Sequence, residues 1–125
     1  MAIRLGIENQ PGREEEENLR QLCLNVLEPL RMRFGRIIIT SGYRSNALNK
    51  AIGGTFNSQH MRGEAADIHI PNEATGRRYY LFIKHTLVFD QLLFEHRMRN
   101  GCMWLHVSFR QPPHHNRGEA MEMTI

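Results

Sequence analysis

Two short stretches about forty residues apart constrain this chain more than anything else in it: Ser58-Gln59-His60-Met61-Arg62-Gly63-Glu64-Ala65-Ala66-Asp67 and Trp104-Leu105-His106-Val107-Ser108. They carry two imidazoles and a carboxylate, which act as one set only in a fold that brings the stretches together. His60, Asp67 and His106 are ligand types that zinc prefers, nitrogen from histidine and oxygen from aspartate at about 2.0–2.2 Å. A site closed by three side chains keeps its fourth position for water, the open arrangement of hydrolytic sites. The set therefore points to one catalytic zinc ion.

The residues around the set fit that reading. Gly63 permits a sharp backbone reversal between His60 and Asp67, and the small Ala65 and Ala66 let a strand pack closely while Asp67 faces away from Ala66 and Ile68. Trp104 to Phe109 reads as a strand with Trp104, His106 and Ser108 on one face and Leu105, Val107 and Phe109 on the other. The first face is a candidate site and the second is core.

Elsewhere the pattern is that of one α+β domain spanning residues 1–125, without linker or repeat. Arg13 to Phe34 places Leu19, Leu22, Cys23, Val26, Leu27 and Leu30 at amphipathic-helix spacing, with early glutamates suited to the positive helix end and Pro29 a candidate kink. Arg36 to Thr40 is a β-branched strand delivering the Ser41-Gly42 turn, and Ser45 caps a short helix, Asn46 to Ile52, that ends at Gly53-Gly54. A strand from Glu64 to Ile70 leads through Pro71-Asn72 into a helix from Glu73 to Leu87, whose first turn Gly76 weakens. Phe89 to Glu95 is a strand, His96 to Met103 a polar loop, and Glu119 to Ile125 an alternating edge strand. The expected architecture is an antiparallel sheet with helices packed on one face and the zinc site on the other.

Hydrolysis also needs a group that takes a proton from water and passes it to the leaving amine. Glu95 is the candidate: if it pairs opposite Trp104, its carboxylate shares the sheet face of His106, and a slip of one residue would put it on the wrong face. His96 and His69 are rivals for that role. Arg44 is a candidate substrate handle, because a guanidinium grips a carboxylate with two hydrogen bonds or polarises a carbonyl. From spacing alone it is equally an arginine that braces the following loop. Ser58 and Ser108 are candidates for bonding substrate or orienting a ligand, set against the usual role of such serines as local backbone partners. His85, His114 and His115 receive no role, and Tyr79, Tyr80 and Phe82 are expected in the core.

Ser41-Gly42-Tyr43-Arg44-Ser45, Leu48-Asn49, Ser58-x-His60-x-x-Gly63-x-Ala65-x-Asp67 and Trp104-x-His106-x-Ser108 follow one another in an order and spacing that resembles the zinc D-Ala-D-Ala carboxypeptidase family, with its Hedgehog/DD-peptidase fold. The likeness runs from the helix around Asn18 to the strand at His106. It implies a zinc metallopeptidase that hydrolyses peptide bonds of the bacterial peptidoglycan stem peptide, as a D,D-carboxypeptidase or an endopeptidase, and it gives Arg44 a role toward substrate. The alternative is a zinc-binding module of the same fold that has lost catalysis and recognises wall peptides or a protein partner.

A net charge of +3 would suit an anionic cell wall or a nucleic acid, but the basic residues are scattered, the main charge run is the acidic Glu14 to Glu17, and no nucleic-acid-binding motif is present. No nucleic-acid partner is expected. Cys23 and Cys102 form no metal-binding pair; Cys23 is expected as a small buried hydrophobe, and the two could in principle join in one disulfide. Met1 to Gly12 has no long apolar run or cleavage pattern, and no stretch reaches transmembrane length. The expectation is a protein made in the cytoplasm that acts at the cell wall, either as a phage or prophage lysin or after export by another route.

Overall fold

Three consecutive helical segments open the structure, a computed structural model that describes residues 9–54 and 58–125. Helix α1 (Arg13–Leu22) carries Glu14, Glu15 and Glu16 in its first turn, where negative charge meets the positive end of the helix dipole. It widens into a π-helical turn (Cys23–Leu27) and resumes as α2 (Glu28–Phe34), closing at Gly35 with φ 85°. Pro29 accounts for the widening: it has no N–H for the Asn25 carbonyl, and its ring crowds that carbonyl, so the preceding turn opens. The expected kink thus takes the form of a π turn.

Leu22, Val26 and Leu30 are the fully buried stripe of this helical run. Cys23 is exposed, not buried as its place in the apolar pattern predicts. It lies about 100° round the helix from Leu22, off that four-residue stripe. Cys102 is exposed as well, and both thiols are free.

The chain continues through β1 (Ile39–Ser41), α3 (Asn46–Ala51), a 3-10 turn (Gln59–Arg62), β2 (Ala65–His69), α4 (Glu73–Thr86), β3 (Gln91–His96), β4 (Met103–Ser108) and β5 (Glu119–Thr124). These five strands form one sheet in the order β1-β2-β4-β3-β5. The first three neighbouring pairs are antiparallel, as expected, but β5 pairs parallel to β3, so the sheet is mixed. Both edges of β4 are already taken, by β2 and β3. The chain after Ser108 therefore crosses the end of β3, about two strand spacings or 10 Å, before it finds a free edge. Arg117 and Asp90 fasten that crossing with bonds of 3.0 Å (Nε to Oδ1) and 2.8 Å (Nη2 to Oδ2), while Glu119 N–H donates to the Asp90 carbonyl.

Ser45 and Asn72 cap α3 and α4, accepting from the N–H groups of Leu48 and Thr75. Gly76 has a packing reason: a Cβ there would meet Ile70 at 2.6 Å and Phe94 at 3.1 Å, so only glycine lets α4 lie this close to the sheet. Strand β1 (Ile39–Ser41) starts later than the predicted Arg36 to Thr40 and runs one residue further, its ladder with β2 is irregular between Ile39 and Ser41, and Ile38 and Ile39 stay exposed at this edge. No helix among the described residues is long and apolar enough to cross a membrane.

The core lies on one face of the sheet. Ala66, Ile68, Leu92, Phe94, Leu105 and Val107 point into it and meet Leu22, Val26 and Leu30 from the N-terminal helical run and Tyr79, Tyr80 and Ile83 from α4. Tyr79 and Tyr80 are buried and Phe82 is packed at the margin, as their spacing predicts. By the alternation of strands, the opposite face presents Asp67 on β2, Trp104 and His106 on β4, Leu93 and Glu95 on β3, and Met121 and Met123 on β5.

Candidate metal centre

Asp67 and His106 are direct partners across the β2–β4 ladder, which places a carboxylate and an imidazole side by side on the face away from the core. His60 reaches the same point from the 3-10 turn. That turn is held from several sides: Ser58 Oγ accepts from His60 N–H, Asn18 donates to the Arg62 carbonyl at 2.8 Å, and Gln59 donates to the buried Asp90 at 2.8 Å. Gly63 then reverses the chain at φ 74°, and a Cβ there would collide with the Glu15 backbone of α1. Glycine is required both for the left-handed turn and for the close approach of α1.

One carboxylate oxygen gathers the centre. Asp67 Oδ1 lies 3.3 Å from His60 Nε2 and 3.1 Å from His106 Nδ1, and the three ligand atoms all fall within 4.8 Å of one another. Tetrahedral zinc with ligands at about 2.0–2.1 Å separates them by about 3.3–3.4 Å, so the donor set and its spacing fit that ion. The tautomer is also set. His60 Nδ1 donates to the Gly42 carbonyl at 2.8 Å, leaving the Nε2 lone pair free to coordinate. Among the described residues this is the one group of three such donors that converges.

Arg44 fixes the other carboxylate oxygen. Its Nη2 donates to Asp67 Oδ2 at 3.3 Å, Nη1 to Asn49 Oδ1 at 3.1 Å and Nε to Ser41 Oγ at 3.1 Å. Burial opposes ionisation of Asp67, but the adjoining His106 and His60 side chains outweigh it and hold its carboxyl well below the usual carboxylate range. An ionised Asp67 is the form a cation needs.

Glu95 pairs with Trp104, so its side chain shares the sheet face of His106, diagonally across one strand. Burial pushes its carboxyl above the ordinary range; the imidazole of His106 pulls the other way and the negative Asp67 adds to the rise. His69 sits exposed on the far side of Trp104, while His96 turns to the opposite face, stacked on Phe94 at 4.7 Å. Ser58 caps the 3-10 turn, and Ser108 is fully buried with its hydroxyl accepting from Gln91 N–H at 3.0 Å. Both serines thus act on backbone in this structure. His114 lies against Arg110, 3.2 Å from its Nη2, and is not among the converging donors.

Sequence reasoning missed Gly42, Ser41 and Asn49 as orienting groups and Asp90 as the anchor of the 3-10 turn. The Ser41-Gly42 turn was visible, but nothing in a linear sequence says which carbonyl an imidazole will choose.

The model of the Peptidase M15 family matches residues 2–108. That span covers most of the chain and both ligand-bearing stretches, and the chain belongs to this family, one of zinc-dependent metallopeptidases of the D-Ala-D-Ala carboxypeptidase type. No curated protein matches the chain significantly.

Proposed function

We propose, from this family membership and the geometry of the centre, that the protein is a single-domain zinc peptidase that hydrolyses bonds of the peptidoglycan stem peptide, as a D,D-carboxypeptidase or an endopeptidase. The observation that carries the reading is the convergence of His60 Nε2, Asp67 Oδ1 and His106 Nδ1 on the sheet face that also bears Glu95. A zinc ion held by His60, Asp67 and His106 would supply Lewis acidity toward a carbonyl and a water molecule. Glu95 takes the proton of the attacking water and delivers it to the departing amine, so that hydroxyl ends on the acyl carbon and hydrogen on the amine. The raised affinity of Glu95 for protons suits that exchange.

Arg44 serves the centre in two ways in this reading. Three of its five N–H groups are committed to Asp67, Asn49 and Ser41, which orients the ligand carboxylate. The remaining N–H groups face substrate and stabilise charge on the carbonyl oxygen. Ser58 and Ser108 enter as positioning residues, one for His60 and one for the β3–β4 ladder. Arg44→Ala should weaken zinc binding about 10–100-fold, read by competition with a chelator, because it frees the oxygen that orients Asp67. Unchanged zinc affinity would show that Arg44 does not position the ligand.

The site of action in this reading is the cell wall, reached as a phage or prophage lysin or by export. Digestion of purified peptidoglycan with the zinc-loaded protein, followed by mass analysis of the fragments, tests the function and identifies the bond. Release of terminal D-alanine marks a carboxypeptidase and release of cross-linked or internal fragments an endopeptidase. Binding to wall peptides without any cleavage would establish the non-catalytic module instead.

A further inference from the structure

The arginines that border the candidate site are mostly spent on carboxylates of the protein itself. Arg44 bonds Asp67, Arg62 and Arg110 lie against Glu64, and Arg117 is paired with Asp90. Arg97 differs. It follows Leu93 and Glu95 at the two-residue spacing of β3, one position beyond the strand end, and its guanidinium carbon sits 5.0 Å from the centroid of the Trp104 ring. Trp104 belongs to the face of His106, so the cation is carried onto the same face as the candidate ligands. The backbone of Arg97 is pinned by its N–H bond to the Cys102 carbonyl at 2.8 Å, closing the β3–β4 hairpin. Among the described residues no carboxylate stands within ion-pair distance of its guanidinium.

A half-buried guanidinium held over an indole still offers N–H groups in the fork that matches a carboxylate. Trp104 lies two residues along β4 from His106, about 7 Å, which one or two residues of an extended peptide would span. Glu95, two positions before it on that face, is the proposed proton carrier; it feels the Arg97 charge, which pulls its carboxyl down against the rise from burial, without an ion pair forming between them.

We propose that Arg97, held on Trp104, binds a carboxylate of the peptide substrate one or two residues from the scissile bond and makes that carboxylate a condition of efficient recognition. The inference rests on the peptidase reading above. The carboxylate is either the C-terminus of the peptide or the side chain of an interior acidic residue, and the fork serves both equally.

Trp104 is the single tryptophan of the chain, so its fluorescence reports on this contact directly. The test titrates zinc-loaded wild type, Arg97→Ala and Arg97→Lys with four synthetic stem peptides. Two end in D-alanyl-D-alanine as the free acid or the amide; two are amidated at the C-terminus and carry interior D-glutamate or its amide. Hydrolysis of the same peptides is followed in parallel. Wild type should bind one acid about 10–100-fold more tightly than its amide, and the pair that shows the difference identifies the source of the carboxylate. Arg97→Ala should bind that acid as weakly as the amide, leave amide binding unchanged and retain zinc, with Arg97→Lys between the two. An acid-to-amide ratio that is the same in Arg97→Ala as in wild type, or absent in wild type that cleaves these peptides, overturns the role of Arg97 while leaving the peptidase reading intact. Failure of wild type to bind or cleave any of the four overturns both.

Discussion

Alanine at His60, Asp67 or His106 is expected to reduce zinc from one ion per chain to less than about a tenth, and wall-peptide hydrolysis to background, because two side chains cannot close a tetrahedral site against water. The three variants should not behave alike in stability. Asp67→Ala leaves Arg44, whose side chain is 12% exposed, without its carboxylate partner, so it should be the least stable of the set. His60 is 3% exposed, and its removal leaves a cavity beneath the 3-10 turn. Circular dichroism of each variant separates unfolding from loss of metal. Zinc affinity of the wild type should fall with pH, because protons compete for the two coordinating imidazoles. Stoichiometric zinc in all three alanine variants would place the metal elsewhere.

Glu95→Gln is expected to keep the fold and the zinc while slowing hydrolysis by roughly 10²–10⁴-fold, since the amide has nearly the same shape but cannot carry the proton. The pH profile gives the sign. A carboxyl whose affinity for protons is raised by burial is ionised only above the ordinary glutamate range, so kcat/KM should climb as Glu95 loses its proton. In Glu95→Gln that limb should vanish, leaving only the fall that accompanies zinc release. Turnover near the wild-type level would remove Glu95 from the proton path.

What could be read from sequence here was local periodicity. The alternation of Trp104 to Phe109 set the faces of β4, the Ser45 cap and the Pro71-Asn72 turn marked two helix starts, and the parity of Glu95 followed once it paired with Trp104. What stayed hidden depends on contacts across long separations. The parallel pairing of β5 follows from which strand edges remain free, and the Arg44–Asp67 contact spans 23 residues. The exposure of Cys23 depends on the narrow buried stripe through Leu22, Val26 and Leu30, which six apolar positions on one helical face do not reveal. Arg97 gave no signal because an arginine just past a strand end reads as hairpin polarity until Trp104 is found beneath it.

The account stands most directly on turnover of a defined stem peptide by one preparation before metal removal, after chelation, and during stepwise return of zinc. It predicts that cleavage disappears with the metal and returns in proportion to zinc up to one equivalent per chain, with no return in His106→Ala. Full cleavage by the stripped protein, or none at one equivalent of bound zinc, would contradict it.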